Sequence, residues 1–145
     1  MAAWPWQCRR LLRPGATAGG IVITEVAPWA SGNSPYAADW FEVTNLGAAP
    51  VDITGWKVDD NTNAFVSSVA LNGITTIGAG QSVIFMETAV PATTIPQFTS
   101  AWFGSSVPAG LQIGSYTGSG LGLGTGGDAV NLFDAAGALQ AKVNK

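Results

Sequence analysis

The apolar residues of this chain come in short runs broken by turn formers, and that limits its fold more than any other feature. From Ile21 onward the runs are rich in β-branched residues, with Gly, Pro, Asn and Asp between them, which is the pattern of strands joined by tight connections. Ile21 to Val26 reads as a first strand. Asp39 to Asn45 reads as a second, alternating with Phe41 and Val43 on one face and Trp40, Glu42 and Thr44 on the other. Val51 to Ile53 and Trp56 to Val58 flank a break at Thr54-Gly55, where a bend admits the large Trp56 ring to a core. Phe65 to Leu71 and Ile74 to Ile77 read as strands, and Ser82 to Met86 follows the turn Gly78-Ala79-Gly80. Asp128 to Phe133 and Ala138 to Val143 make a terminal hairpin. Its turn, Asp134 to Gly137, puts Asp where it can bond the backbone and Gly where φ must be positive.

Only Thr94 to Phe103 reads as a helix, with Pro96 in its first turn and Phe98 and Trp102 on one face. Strands at even spacing with little helix point to a sandwich or a barrel. A chain of 145 residues suits one domain with one core, and that size folds without disulfides or a metal. The expected core includes Ile23, Val26, Phe41, Val43, Trp56, Val83, Phe85, Val130 and Leu132.

Charge excludes several functions. Charged residues make up 10% of the chain, against roughly 25% in an average domain. Beyond residue 20 the cations are Lys57, Lys142 and Lys145, three against nine acids, for a net −6. No basic face for nucleic acid can be built from these, and an anionic membrane surface is disfavoured for the same reason. The chain has no histidine, which removes the commonest general base and most zinc sites. Its one cysteine, Cys8, can close no internal disulfide.

Residues 1–20 stand apart. They hold Arg9, Arg10 and Arg13, half of the cations, and show no strand pattern. Pro14 and Gly15 follow Arg13 directly, so the apolar stretch of about 7–15 residues that a secretory signal needs is missing. The segment reads as an unstructured leader, or as a start placed upstream of a domain that spans 21–145.

The order of the segments carries a resemblance. Ile23-Thr24-Glu25-Val26 opens, followed by Asp39-Trp40-Phe41-Glu42-Val43-Thr44-Asn45. Gly47 to Asp60, with Asp52-Ile53-Thr54-Gly55-Trp56 inside it, comes next, then Ile77 to Phe85, then Gly127 to Gly137. This order resembles a lamin tail domain of the bacterial kind over about residues 21 to 143. The resemblance implies an all-β fold, an immunoglobulin-like β-sandwich with at most one short helix. It implies a non-catalytic interaction or accessory module without a cofactor, in an exported or surface protein; the expected partner is a protein surface or, as the alternative, a glycan. Asn45 fits this frame, since its amide can close the turn at Gly47.

Four groups of residues remain as candidate sites. Trp29, Tyr36 and Trp40 flank the loop Ser31 to Pro35 and are candidates for ligand or partner contact, either a protein or a sugar stacked on exposed rings. The alternation in the second strand points Trp40 outward. Asp59, Asp60, Asn61 and Asn63 form an oxygen-rich run that suits a hard cation such as calcium. An Asx-bonded turn is the better reading, because the run lacks the glycine and distal glutamate of an EF-hand loop. Glu25 and Glu42, on strands expected to be neighbours, are the one carboxylate pair for a hydrolase of the glycosidase type. Gly122 to Gly127 spells G-x-G-x-x-G but has no helix after it, so it reads as a glycine-rich loop rather than a nucleotide cradle.

Overall fold

A computed structural model of the protein describes residues 20–28, 35–60, 62–118 and 129–144. Ten strands and one helix follow in the order β1 (Ile21–Ala27), β2 (Trp40–Asn45), β3 (Val51–Asp52), β4 (Lys57–Asp59), β5 (Val69–Ala70), β6 (Thr76–Ile77), β7 (Ser82–Glu87), α1 (Pro91–Phe103), β8 (Gln112–Tyr116), β9 (Ala129–Phe133) and β10 (Leu139–Asn144). Two four-stranded sheets form, ordered β1-β2-β7-β8 and β10-β9-β4-β5, with β3 and β6 as a separate ribbon. All pairs are antiparallel except β7 and β8, which run parallel with α1 as the crossover between them. The fold is an all-β sandwich of immunoglobulin-like type.

The inner faces of the two sheets enclose one apolar core. Ile21, Ile23, Phe41, Val43, Val83, Phe85 and Tyr116 come from the first sheet, and Val58, Val130, Leu132 and Val143 from the second. Every residue expected in the core is there, with Val26 partly buried at its margin. Trp56 enters it as expected, directly after Gly55, whose φ is +79°.

A second apolar cluster lies on the outer face of the first sheet. Trp40, Ile84 and Met86 of that face meet Phe98 and Phe103 of α1, joined by Tyr36 and Ala38. The helix turns an apolar stripe to the sheet, with Thr94, Phe98 and Phe103 buried. It begins at Pro91, three residues before the expected start, so Pro96 lies inside it rather than in the first turn. Pro96 is exposed, on the side away from the sheet, where the backbone group it leaves without an amide partner can turn to water.

Two further expectations are corrected. Phe65 to Leu71 is not one strand: Phe65–Ser67 is a 3-10 turn and only Val69–Ala70 pairs with β4. Of Ile74 to Ile77, only Thr76–Ile77 is strand. Strand β8 was not legible as a strand, because Gly114 interrupts its pattern. The structure shows why glycine stands there: a Cβ would lie 2.4 Å from the Asn72 carbonyl oxygen and 2.7 Å from the Phe85 ring.

Candidate functional site

The two ends of the first sheet differ in how their polar groups are bonded. At one end Asn45, fully buried, donates to the Ala49 oxygen (2.8 Å) and the Ile77 oxygen (3.0 Å) and accepts from the Gly47 amide (2.9 Å). Its backbone is bonded to Gly80 and Gln81 as well. This is the turn-closing role expected of it, extended to a second turn.

The other end is where the candidate aromatics were expected, and two of them can be placed. Tyr36 and Trp40 are 4% and 3% exposed. The Trp40 ring points away from the inter-sheet core, as the alternation predicts, but α1 covers it, so the expectation of an exposed ring is corrected. It packs edge-on against Phe98 (5.4 Å) and Trp102 (5.8 Å). The Tyr36 hydroxyl accepts from the indole of Trp40 (3.3 Å) and the indole of Trp102 (3.0 Å). Such a set locks the helix to the sheet and leaves no open ring face at either residue for a sugar. Trp29 lies outside the described residues. Beside the cluster an open depression is lined by Pro35, Pro96, Gln97, Ser100 and Ala101.

The oxygen-rich run forms a turn. Asp59 is 2% exposed, and its carboxylate accepts from the Thr62 hydroxyl (2.7 Å), the Ala64 amide (2.6 Å) and the Ser67 hydroxyl (3.3 Å). Burial pushes its acidity down, but the hydrogen bonds from Ala64, Thr62, Asp60 and Ser67 outweigh that and hold its pKa below the usual value. Asp60 caps the Thr62 amide (3.0 Å), and Asn63 takes a positive φ of 52°. The Asp59 oxygens and Asp60 Oδ1 accept these protein donors, which is the bonding of an Asx turn. They also explain why Phe65–Ser67 coils instead of extending. Asn61 lies outside the described residues, and among the described residues no group of three metal-ligating side chains is found.

The glutamates are neighbours, as expected: Glu25 pairs with Glu42 across β1 and β2. A β-bulge between Ile23 and Glu25 lets the consecutive residues Thr24 and Glu25 share one face. Thr24 donates to Glu42 Oε1 and sits 2.9 Å from the Thr44 hydroxyl, which is 2.7 Å from that of Ser82. Glu25 and Glu42 are 1% and 0% exposed. A glycosidase pair must reach its substrate; this one is sealed in a buried polar network. Gly122 to Gly127 lies outside the described residues.

The arrangement that sequence reasoning missed is Asp39, Glu87 and Tyr116. The Glu87 amide donates to the Asp39 oxygen (2.9 Å), and Glu87 pairs with Tyr116 across β7 and β8. Asp39 directly precedes β2, and Glu87 and Tyr116 are the last residues of β7 and β8, the next two strands of that sheet. Trp40 and Met86 turn to the outer cluster, so their neighbours Asp39 and Glu87 turn to the inner side, where Tyr116 belongs to the core. Burial, and then the charge of Asp39, pushes the half-buried Glu87 carboxyl up to about 7. Burial first, then Glu87 and Asp39, pushes the Tyr116 phenol well above its usual range. Two of the buried atoms here, Glu87 Oε2 and the Tyr116 hydroxyl, have no hydrogen-bond partner. No sequence signal joins residues 39, 87 and 116; only the strand register does.

Two stacked sheets around a closed apolar core, with no catalytic constellation among the described side chains, define a β-sandwich module of the immunoglobulin-like class. The chain belongs to the Lamin Tail Domain family, whose family model matches residues 14–145. The family is one of non-enzymatic immunoglobulin-like domains. The match starts within the segment read from sequence as a leader. No curated protein matches the chain.

Proposed function

We propose that this domain is a non-catalytic interaction module of a bacterial exported or surface protein, which positions or attaches a partner rather than transforming it. The observation that carries this reading is the sealing of the chemistry-bearing residues. Glu25 and Glu42 are both buried, Glu42 within a hydroxyl network, Asp59 is consumed by a turn, and the chain has no histidine to serve as a base. Family membership supports the same reading. The exported or surface setting rests on where bacterial domains of this type usually occur. Among the described residues no helix is long and apolar enough to cross a membrane.

The partner is a protein or glycan surface met through uncharged contact. Its seat is the depression lined by Pro35, Pro96, Gln97, Ser100 and Ala101, above the rigid ring cluster. The described cations are Lys57 and Lys142, too few to release many counterions from a polyanion. Binding to cell-wall glycans and to candidate protein partners is therefore expected to change little between about 50 and 500 mM salt. Ala101→Arg should abolish it without lowering Tm. Phosphodiester, ester and glycoside substrates should turn over only at background rates. Turnover lost in Glu42→Gln with the fold retained would overturn the non-catalytic reading, and a steep fall in affinity with salt would overturn the uncharged contact.

A further inference from the structure

An asparagine followed by glycine can lose its side-chain amide to attack by the glycine's backbone nitrogen, because no Cβ shields that nitrogen. The chain has one Asn-Gly pair, Asn72-Gly73. Both residues are exposed, on the connection between β5 and β6. The Asn72 side-chain amide makes a single long contact, 3.5 Å, to the Ala70 oxygen. Among the described residues, none accepts a hydrogen bond from the Gly73 amide. Asn45, Asn63 and Asn131 are placed differently. The Leu46 amide after Asn45 is bonded to the Gly20 oxygen (3.0 Å), the Ala64 amide after Asn63 is bonded to Asp59 (2.6 Å), and Asn131 is fully buried. The pair also sits at a joint between the sheets. Asn72, two residues beyond β5 of the second sheet, bridges to Ser115 on β8, the edge of the first. Its amide donates to the Ser115 oxygen (2.8 Å), and its oxygen accepts from the Ser115 amide (2.9 Å). Two glycines make room for this bridge. A Cβ on Gly114 would strike the Asn72 oxygen, and a Cβ on Gly73, whose φ is +93°, would come within 3.4 Å of Gly114 Cα.

We propose that Asn72 is a site of spontaneous deamidation and isomerisation, and that the isoaspartyl product loosens the tie between the two sheets. The Gly73 nitrogen gives up its proton to hydroxide and bonds to Asn72 Cγ. The Cγ–Nδ2 bond breaks, and Nδ2 takes a proton from water and leaves as ammonia. A five-membered imide remains, and water reopens it at either of its two carbonyls. Attack at Cγ breaks the new bond and gives aspartate, with the path of the chain unchanged. Attack at the backbone carbonyl carbon breaks the original peptide bond and gives isoaspartate, in which the chain runs through Cβ and Cγ. In sum one water enters and one ammonia leaves, with no other reactant. In isoaspartate the oxygen that accepted from Ser115 belongs to a free carboxylate off the path of the chain. Gly73 then hangs from the side-chain carbon and is carried one carbon away from its seat beside Gly114, so the bridge loses its fit. An edge strand that loses its cover presents unpaired backbone groups, and β8 is such an edge. The change runs in one direction without an enzyme, so it loosens this edge as the chain ages.

The test holds the full chain in warm, mildly alkaline buffer below its melting transition and follows each asparagine by peptide mapping. Asn72 should convert several-fold faster than Asn63, mostly to isoaspartate, which an isoaspartyl methyltransferase labels. The converted chain should melt several degrees below the fresh chain, and its Ser115 amide should exchange hydrogen several-fold faster. Asn72→Asp carries the new charge without the extra backbone carbon and should melt close to fresh wild type. Asn72→Gln, whose ring closure is six-membered and slow, should keep both its mass at this position and its Tm through the same incubation. Conversion at Asn72 no faster than at Asn63 overturns the site. The loosening is overturned by a converted chain that melts and exchanges like the fresh one, by a fresh Asn72→Asp chain that melts as low as the converted one, or by an equal loss of Tm in incubated Asn72→Gln.

Discussion

The two ends of the β1-β2-β7-β8 sheet are made of the same strands and behave as different materials. At the Asn45 end one buried amide uses both of its hydrogens and its oxygen to close two turns, and the loops there are short. At the Asp39 end Glu87 Oε2 and the Tyr116 hydroxyl, on paired residues of β7 and β8, are buried without a hydrogen-bond partner. The first end is organised for stability. The second leaves two buried oxygens without a partner, each at a cost of about 1–3 kcal/mol.

The comparison can be tested by changing one side chain at a time. The largest effect is expected at Trp40→Ala. It empties a site bounded by Phe98, Trp102 and Met86 and releases the helix, at a cost of about 3–5 kcal/mol in chemical denaturation. A loss below about 1 kcal/mol would mean that α1 does not rely on this ring. Asn45→Ala comes next. It leaves two carbonyl oxygens and one amide unbonded at the ordered end, so a loss of about 2–3 kcal/mol is expected, read from the same transitions.

Glu87→Gln sharpens the contrast because its sign is opposite. The folded-state pKa of about 7 lies above the ordinary 4.5, so the native chain holds this proton more tightly than the unfolded chain does. Wild-type stability from this group is therefore complete below about pH 4.5 and falls as pH rises to about 7. The glutamine variant should melt higher than wild type above about pH 7 and no higher below about pH 4. Equal melting at every pH would show that Glu87 is not under this load.

The smallest effect is expected at Asp59→Asn. The folded pKa of Asp59 is lowered, so its contribution is present above the ordinary carboxylate range and is lost as pH falls below about 4. The variant should be modestly less stable at neutral pH and should converge on wild type in acid. A pH-independent difference would show that the turn is held by shape rather than by charge.

Much of this was readable from local chemistry. Alternation in Trp40 to Asn45 put Phe41 and Val43 in the core and Trp40 on the opposite face, and the turn residues Asn45, Gly55 and Asp134 do what their side chains allow: Asp134 accepts from the amides of Ala136 and Ala138, both at 2.9 Å. These features depend on neighbours a few residues away. What could not be read is of longer range. The same alternation could not say that a helix would cover Trp40, since an outer face looks alike whether it meets water or α1. Strand β8 was hidden because its glycine answers to Asn72 and Phe85, not to its own segment.

The division follows from how far each determinant reaches along the chain. Period, turn residues and the order of segments belong to contiguous stretches, so the sequence by itself determined a β-sandwich and its inner core. Burial of Glu25 against Glu42, the bulge that turns Thr24 toward them, and the meeting of Asp39, Glu87 and Tyr116 require strands distant in sequence to lie side by side in one register. A shift of a single residue would send each of these side chains to the opposite face, and only the packed sheets fix that choice.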